Sequence, residues 1–160
     1  MNRNCLALYR SLSLALVVAV AFFPLYALQF QPLSAAAIPQ SELIRPEQLH
    51  RELQSHDHAL ILQVGSRLLF DEAHIPGAEY AGPASRPEGL TLLRNRVANL
   101  SRQRAIVIYC GCCPWDRCPN VAPAWRLLHQ MGFTRIRVLY VAQNFGAEWA
   151  DRGYPVEKSQ

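Results

Sequence analysis

Lysine is almost absent from this 160-residue chain: Lys158 stands alone among 16 basic side chains, and the arginines that make up the rest are scattered. Without a basic stripe there is no footprint for a nucleic-acid backbone. Glycine is sparse as well, eight residues dispersed along the chain, so no glycine-rich loop is available to cradle a phosphate, and no Ser/His/Asp pattern indicates hydrolysis. Charge is missing altogether from Ser11 to Ser41. Arg3 and Arg10 ahead of that stretch, the apolar run Leu12 to Leu28 and the small residues Ala35-Ala36-Ala37 describe a secretory signal cleaved near Ile38, with an uncleaved inner-membrane anchor as the alternative. Both versions place the N-terminus in the cytoplasm and the domain outside it, periplasmic or extracytoplasmic. Cys5 precedes the apolar run, which argues against a lipid-anchoring cysteine. Taking Arg3 and Arg10 from the 16 basic residues leaves 14 against 12 acidic ones, a balance that selects no partner.

What the chain does have is sulfur in one place. The nonapeptide Cys110-Gly-Cys-Cys-Pro-Trp-Asp-Arg-Cys118 holds four of the five cysteines, directly after the apolar run Ala105–Tyr109 and directly before a helical pattern. A strand that ends in cysteine and turns into a helix aims backbone N–H groups and the positive end of the helix dipole at the sulfur, lowering its pKa. No histidine adjoins the loop, and His129 falls too far along the following helix to act as its base, so activation is left to dipoles and arginine. His56 and His58 read as surface residues, and His74 as part of a turn.

Around this loop, helical and strand patterns alternate. The chain predicts a helix over Pro46–Leu53, a buried strand over Ala59–Val64, a loop, the turn His74–Ala78, and an extended piece at Glu79-Tyr80. A helix from Pro87 to Leu100 follows, then a strand over Ala105–Tyr109. Pro119 or Asn120 opens the next helix, Gly132 stops it, a strand runs from Ile136 to Val141, and a short helix around Ala147–Arg152 ends at Gly153. Near-continuously apolar strands between helices imply an α/β domain with a mostly parallel central sheet covered on both faces, preceded by the signal or anchor segment. The expected bounds are 1–37 for that segment, 38–45 for a linker and 46–158 for the folded domain. In such sheets the site lies beyond the carboxyl ends of the strands, where the cysteine loop sits.

Three separated segments resemble the rhodanese-like (sulfurtransferase) family. Phe70-Asp-Glu-Ala-His-Ile-Pro-Gly-Ala78 is similar to its first signature, with Ala73 for the usual glycine. Ile106-Val-Ile-Tyr-Cys110 is similar to the strand that ends at its catalytic cysteine. Gly132 to Leu139, with Glu148-Trp149, Gly153, Pro155 and Val156, is similar to its second signature. There are departures: Gln63 replaces an aspartate, Asn144-Phe145 replaces a glycine pair, and the loop is longer than Cys-x-x-Gly-x-Arg/Ser.

The resemblance implies a double displacement in which a thiolate takes the outer sulfur of a donor such as thiosulfate and passes it from a persulfide to a thiol or cyanide acceptor. The partners are then a small anionic donor and a nucleophilic acceptor, with no nucleic acid, no cofactor and no metal, and with membrane contact only through an uncleaved leader. Counting from the strand end selects Cys110 as nucleophile, and counting back from Arg117 selects Cys112; strand register favours Cys110. Backbone N–H groups of Gly111, Cys112 and Cys113 would cradle the anion, Arg117 would hold the donor, and Trp115 would either wall the pocket or cover the loop. Cys113 and Cys118 are candidates for a resolving or disulfide role. Three alternatives stand beside transfer: thiol-disulfide exchange by Cys110-Gly-Cys-Cys113, a thiolate metal site in the same loop, and an inactive binding domain.

Overall fold

The computed structural model describes residues 38–55 and 59–159; the apolar leader, Cys5, His56 and His58 lie outside the described residues. Five strands, β1 (Leu43–Ile44), β2 (Leu60–Gln63), β3 (Glu79–Tyr80), β4 (Ile106–Tyr109) and β5 (Ile136–Leu139), form one sheet in the order β1-β5-β4-β2-β3, with every pairing parallel. The central strands β2 and β4 are buried along their whole length, as expected of a sheet covered on both faces.

Alternation along these strands sorts the core into two halves. Leu60 and Leu62 of β2 and Ile106 and Ile108 of β4 point to one side, where Leu93 and Val97 of α3 (Pro87–Val97) and Val121, Ala124 and Leu128 of α4 (Val121–Gln130) cover them. Ile61, Val107 and Tyr109 point to the other, under Leu49 of α1 (Pro46–Leu53), Phe70 of α2 (Arg67–Glu72) and Trp149, which follows α5 (Phe145–Glu148). Proline at the first helical position opens both α1 and α3, where its missing N–H costs nothing.

Expectation and structure differ in four places. The segment 38–45, expected as a linker, carries a single 3-10 turn (Gln40–Glu42) and the edge strand β1, with Ile38 and Ile44 buried; two residues are too few to show a strand period. The loop expected after β2 contains α2, whose Leu68 and Leu69 are exposed and so blur the apolar stripe that marks a helix. Helix α3 ends at Val97 rather than Leu100. The final helical stretch divides into α5 and a 3-10 turn (Ala150–Arg152) that closes on Gly153 at φ 76°. Among the described residues no helix is long and apolar enough to cross a membrane.

The turn His74–Ala78 is tied down from both ends. His74 Nδ1 lies 2.7 Å from the Phe70 carbonyl and its ring stacks on Phe70, while the Ile75 N–H donates to the buried Tyr109 hydroxyl. The first signature is thereby fastened to β4. Because β2 hands the chain to β3 on one side and β4 hands it to β5 on the other, the crevice beyond the carboxyl ends of β2 and β4 is the switch point at which ligands collect in open parallel sheets.

Trp149 is 1% exposed, donates its Nε1 proton to the Pro155 carbonyl at 2.8 Å, and stacks with Phe145. Trp149→Ala is expected to lower unfolding free energy by about 3–5 kcal/mol, checked by denaturant titration of the two proteins.

Candidate active site

Residue parity on β4 decides where the first cysteine goes. Cys110 follows Ile106 and Ile108 on the same face, so its side chain enters the apolar cluster beneath α4 and is 3% exposed. Gly65, at the end of the neighbouring β2, leaves room for it; a Cβ at Gly65 would stand 2.9 Å from the Cys110 sulfur and 3.1 Å from its carbonyl oxygen. Gln63 fixes the backbone at this junction. Its Nε2 donates to the Cys110 carbonyl at 3.2 Å, and its Oε1 accepts from the Gly65 N–H at 3.2 Å. An aspartate in its place would have no donor for that carbonyl.

Gly111 then reverses the chain at φ 81°, a left-handed conformation suited to glycine. Its carbonyl accepts the Phe145 N–H at 2.9 Å, and a Cβ here would meet the Phe145 Cβ at 2.8 Å. Further along, the Trp115 N–H donates to the Ala142 carbonyl and the indole packs on Tyr140. Trp115 therefore anchors the loop to the segment after β5 and does not line the pocket. Loop length is taken up by the 3-10 turn Trp115–Arg117.

These restraints bring four sulfurs together, all free thiols. Cys110 Sγ is 3.1 Å from Cys112 Sγ, which is 3.1 Å from Cys113 Sγ. Asn120, buried at the start of α4, donates its Nδ2 proton to Cys110 Sγ at 3.2 Å while its Oδ1 accepts the Ser85 N–H. Cys118 is also buried, and the neighbouring Cys110 thiol and the backbone N–H groups of Asn120 and Val121 favour its ionised form. The open end of α4 thus points at Cys118, whereas the sequence alone directed it at Cys110.

Charge distributes accordingly. The neighbouring Cys112 and Cys118 sulfurs, which favour a protonated Cys110, together with burial push its pKa well up. Cys112 is exposed, receives the Cys110 hydrogen bond, and is brought down to about 6. Cys118 is likewise lowered to about 6 by Cys110 first and then the α4 N–H groups. Burial first and the neighbouring Cys112 second push Cys113 up to about 12. Of two thiols sharing one proton, the better-solvated sulfur carries the charge, because burial penalises the ionised form.

The sulfurs open onto a cavity of about 390 Å³ lined by Cys110, Gly111 and Cys112, by Gln63 and Tyr109 at the strand ends, by Leu69, Glu72 and Ala73 from the α2 region, and by Asn144, Phe145, Gly146 and Ala150 from the α5 region. Of the residues expected at the site, Cys110, Gly111 and Cys112 line this cavity. Cys113 adjoins it through sulfur, and Cys118 lies beneath. Arg117 is elsewhere: its side chain is 77% exposed, its nearest carboxylate is Asp116 at 4.0 Å, and the lining holds neither arginine nor lysine. Gln63, Gly65 and Asn120 are site residues that the sequence reading did not select. The available signals were a polar residue closing an apolar strand and an amide side chain at a helix start. The sulfurs of Cys110, Cys112 and Cys113 lie within 4.8 Å of one another, a spacing a thiophilic cation could bridge; Cys118 falls outside that group.

Comparison with known proteins gives one consistent relationship. The family model of the rhodanese-like domain matches residues 45–141. The solution structure of the rhodanese-like domain of the Alr3790 protein from Anabaena is similar with a TM-score of 0.55 at 23% identity, over 74% of this chain and 80% of that one. The BH2092 protein from Bacillus halodurans gives 0.57 at 20% identity, over 74% and 77%. A rhodanese-like domain protein from Staphylococcus aureus gives 0.52 at 15% identity, over 74% and 99%. No curated protein matches the sequence. At these identities the structural likeness establishes the fold.

Gly65→Ala forces a methyl group against the Cys110 sulfur and is expected to slow reaction at the loop thiols by on the order of 10²-fold, the scale of an ångström-sized misplacement. The helical circular dichroism should stay as in the parent. Unchanged thiol reactivity would mean that the glycine does not set the sulfur's position.

Proposed function

The chain belongs to the rhodanese-like domain family, and on that premise we propose that it is a sulfurtransferase in which Cys112 carries the sulfur. The observation behind this choice is the exposed Cys112 sulfur at the cavity, 3.1 Å above the buried Cys110 thiol that hydrogen-bonds to it. A nucleophile must be ionised and reachable. Cys112 meets both needs, whereas Cys110, the position favoured by counting from the strand, is covered, and burial and its sulfur neighbours disfavour its ionised form.

The reaction is two displacements at sulfur. The Cys112 thiolate attacks the outer sulfur of thiosulfate and sulfite departs, leaving Cys112–S–S⁻. An acceptor thiolate or cyanide then attacks the outer sulfur and Cys112 leaves as thiolate, giving an organic persulfide or thiocyanate. Cys110 and Asn120 support the charge that returns to Cys112 at the end. With no cation in the lining and the Glu72 carboxyl at its edge, the cavity favours a donor of low charge over a dianion, so thiosulfate serves as an assay donor and an organic persulfide fits better. The charge-free stretch Ser11–Ser41 supports a working place outside the cytoplasm.

Cys112→Ser is expected to reduce thiosulfate:cyanide transfer by on the order of 10³-fold or more, the scale of losing the attacking atom. Equal turnover in parent and variant would sink the assignment. In the parent, kcat/KM should climb as pH rises through about 6, because protonated Cys112 cannot attack, and level off above pH ~7. A climb centred near ~8.5, the value of an unperturbed thiol, would show that the loop does not activate its nucleophile.

A further inference from the structure

Two buried thiols form and break no bond to sulfur in simple transfer. Cys110 sits directly behind Cys112 at 3.1 Å, and Cys118 is buried as well. We propose that Cys110 resolves the persulfide formed on Cys112, expelling hydrosulfide and closing a Cys110–Cys112 disulfide, so that the loop reduces sulfane sulfur as well as carrying it. This rests on the assignment of Cys112 as sulfur carrier.

The geometry suits displacement at the inner sulfur. An atom added to Cys112 Sγ has free space on the cavity side, while Cys110 approaches from the buried side. Attacking and departing sulfurs therefore lie on opposite faces of Cys112 Sγ, as thiol-disulfide exchange requires. Asn120 Nδ2, at 3.2 Å from Cys110 Sγ, supports the thiolate that attacks. The bond formed is Cys110 Sγ–Cys112 Sγ, and the bond broken is Cys112 Sγ to the outer sulfur. Cys110 loses one proton in the attack, and the departing sulfur takes one from water on the cavity side and leaves as HS⁻. Over loading and resolution together the sulfane sulfur gains two electrons and the two thiols lose them. A dithiol reductant, or two equivalents of a small thiol, reopens the disulfide for the next cycle.

The test is a single loading of the reduced full chain with thiosulfate, without acceptor and without oxygen, followed by sulfide assay and intact-mass and peptide mass spectrometry. The parent should release one sulfide per chain and lose about 2 Da, mapped to a Cys110–Cys112 link, with free thiols falling by two. Cys110→Ser and Cys110→Ala should instead hold about 32 Da of added sulfur on Cys112 and release no sulfide. Cys113→Ser should release sulfide as the parent does. A parent that keeps a stable persulfide and releases nothing overturns the resolving role while leaving Cys112 as carrier, and so does sulfide release that depends on Cys113 and not on Cys110. Neither adduct nor sulfide in any of these proteins overturns the carrier assignment and this inference with it. The parent's result decides the matter by itself if the Cys110 variants do not fold.

Discussion

The hydrogen bond from the buried Cys110 thiol to the exposed Cys112 sulfur organises this site, and its geometry descends from strand parity. Ile106, Ile108 and Cys110 share a face of β4, so the residue that leaves the strand first must enter the core. Gly111, left-handed and pressed against Phe145, then turns the chain so that Cys112 comes out above it. Burying one sulfur beneath another solves a problem that the absence of histidine creates. The inner thiol serves as a fixed donor in a region of low dielectric, where such a bond is strong, and the outer sulfur keeps the solvation a thiolate needs.

The polar residues around this pair do positioning work that apolar packing could not supply. Gln63 is 2% exposed and satisfies both a backbone N–H and the Cys110 carbonyl. Asn120 is 5% exposed and links α4, the Ser85 backbone and the Cys110 sulfur. Buried amides left without partners are costly, so these two give the crevice between β2 and β4 a defined shape. The site as a whole carries little positive charge. Arg117 points to solvent, and anion stabilisation falls to thiol and amide donors, which distinguishes this loop from one built around a basic side chain.

Much of the architecture was legible in the sequence because long elements declare themselves. The strands at Leu60–Gln63 and Ile106–Tyr109, the helices opened by Pro46 and Pro87, and the turn at His74–Ala78 follow from apolar runs, proline position and turn chemistry. β1 was illegible because two residues have no period, and α2 because Leu68 and Leu69 face outward. At the site, the sequence located the loop beyond a central strand and named the sulfurs that meet there. It did not reveal which sulfur is covered, since that depends on the face Cys110 inherits from Ile106 and Ile108 and on the space left by Gly65 across the strand gap. Arg117 was expected to hold the donor and its side chain is 77% exposed, outside the cavity lining; proximity in sequence to four cysteines says nothing of direction within a 3-10 turn.

The most direct measurement of this account is site-resolved alkylation of the reduced protein across pH, with each cysteine peptide quantified separately. Cys112 should reach half its limiting labelling rate near pH 6, with Cys110 remaining unlabelled throughout the range in which the protein stays folded. Labelling of Cys110 ahead of Cys112 would place the charge on the inner sulfur and contradict the arrangement on which the site is built.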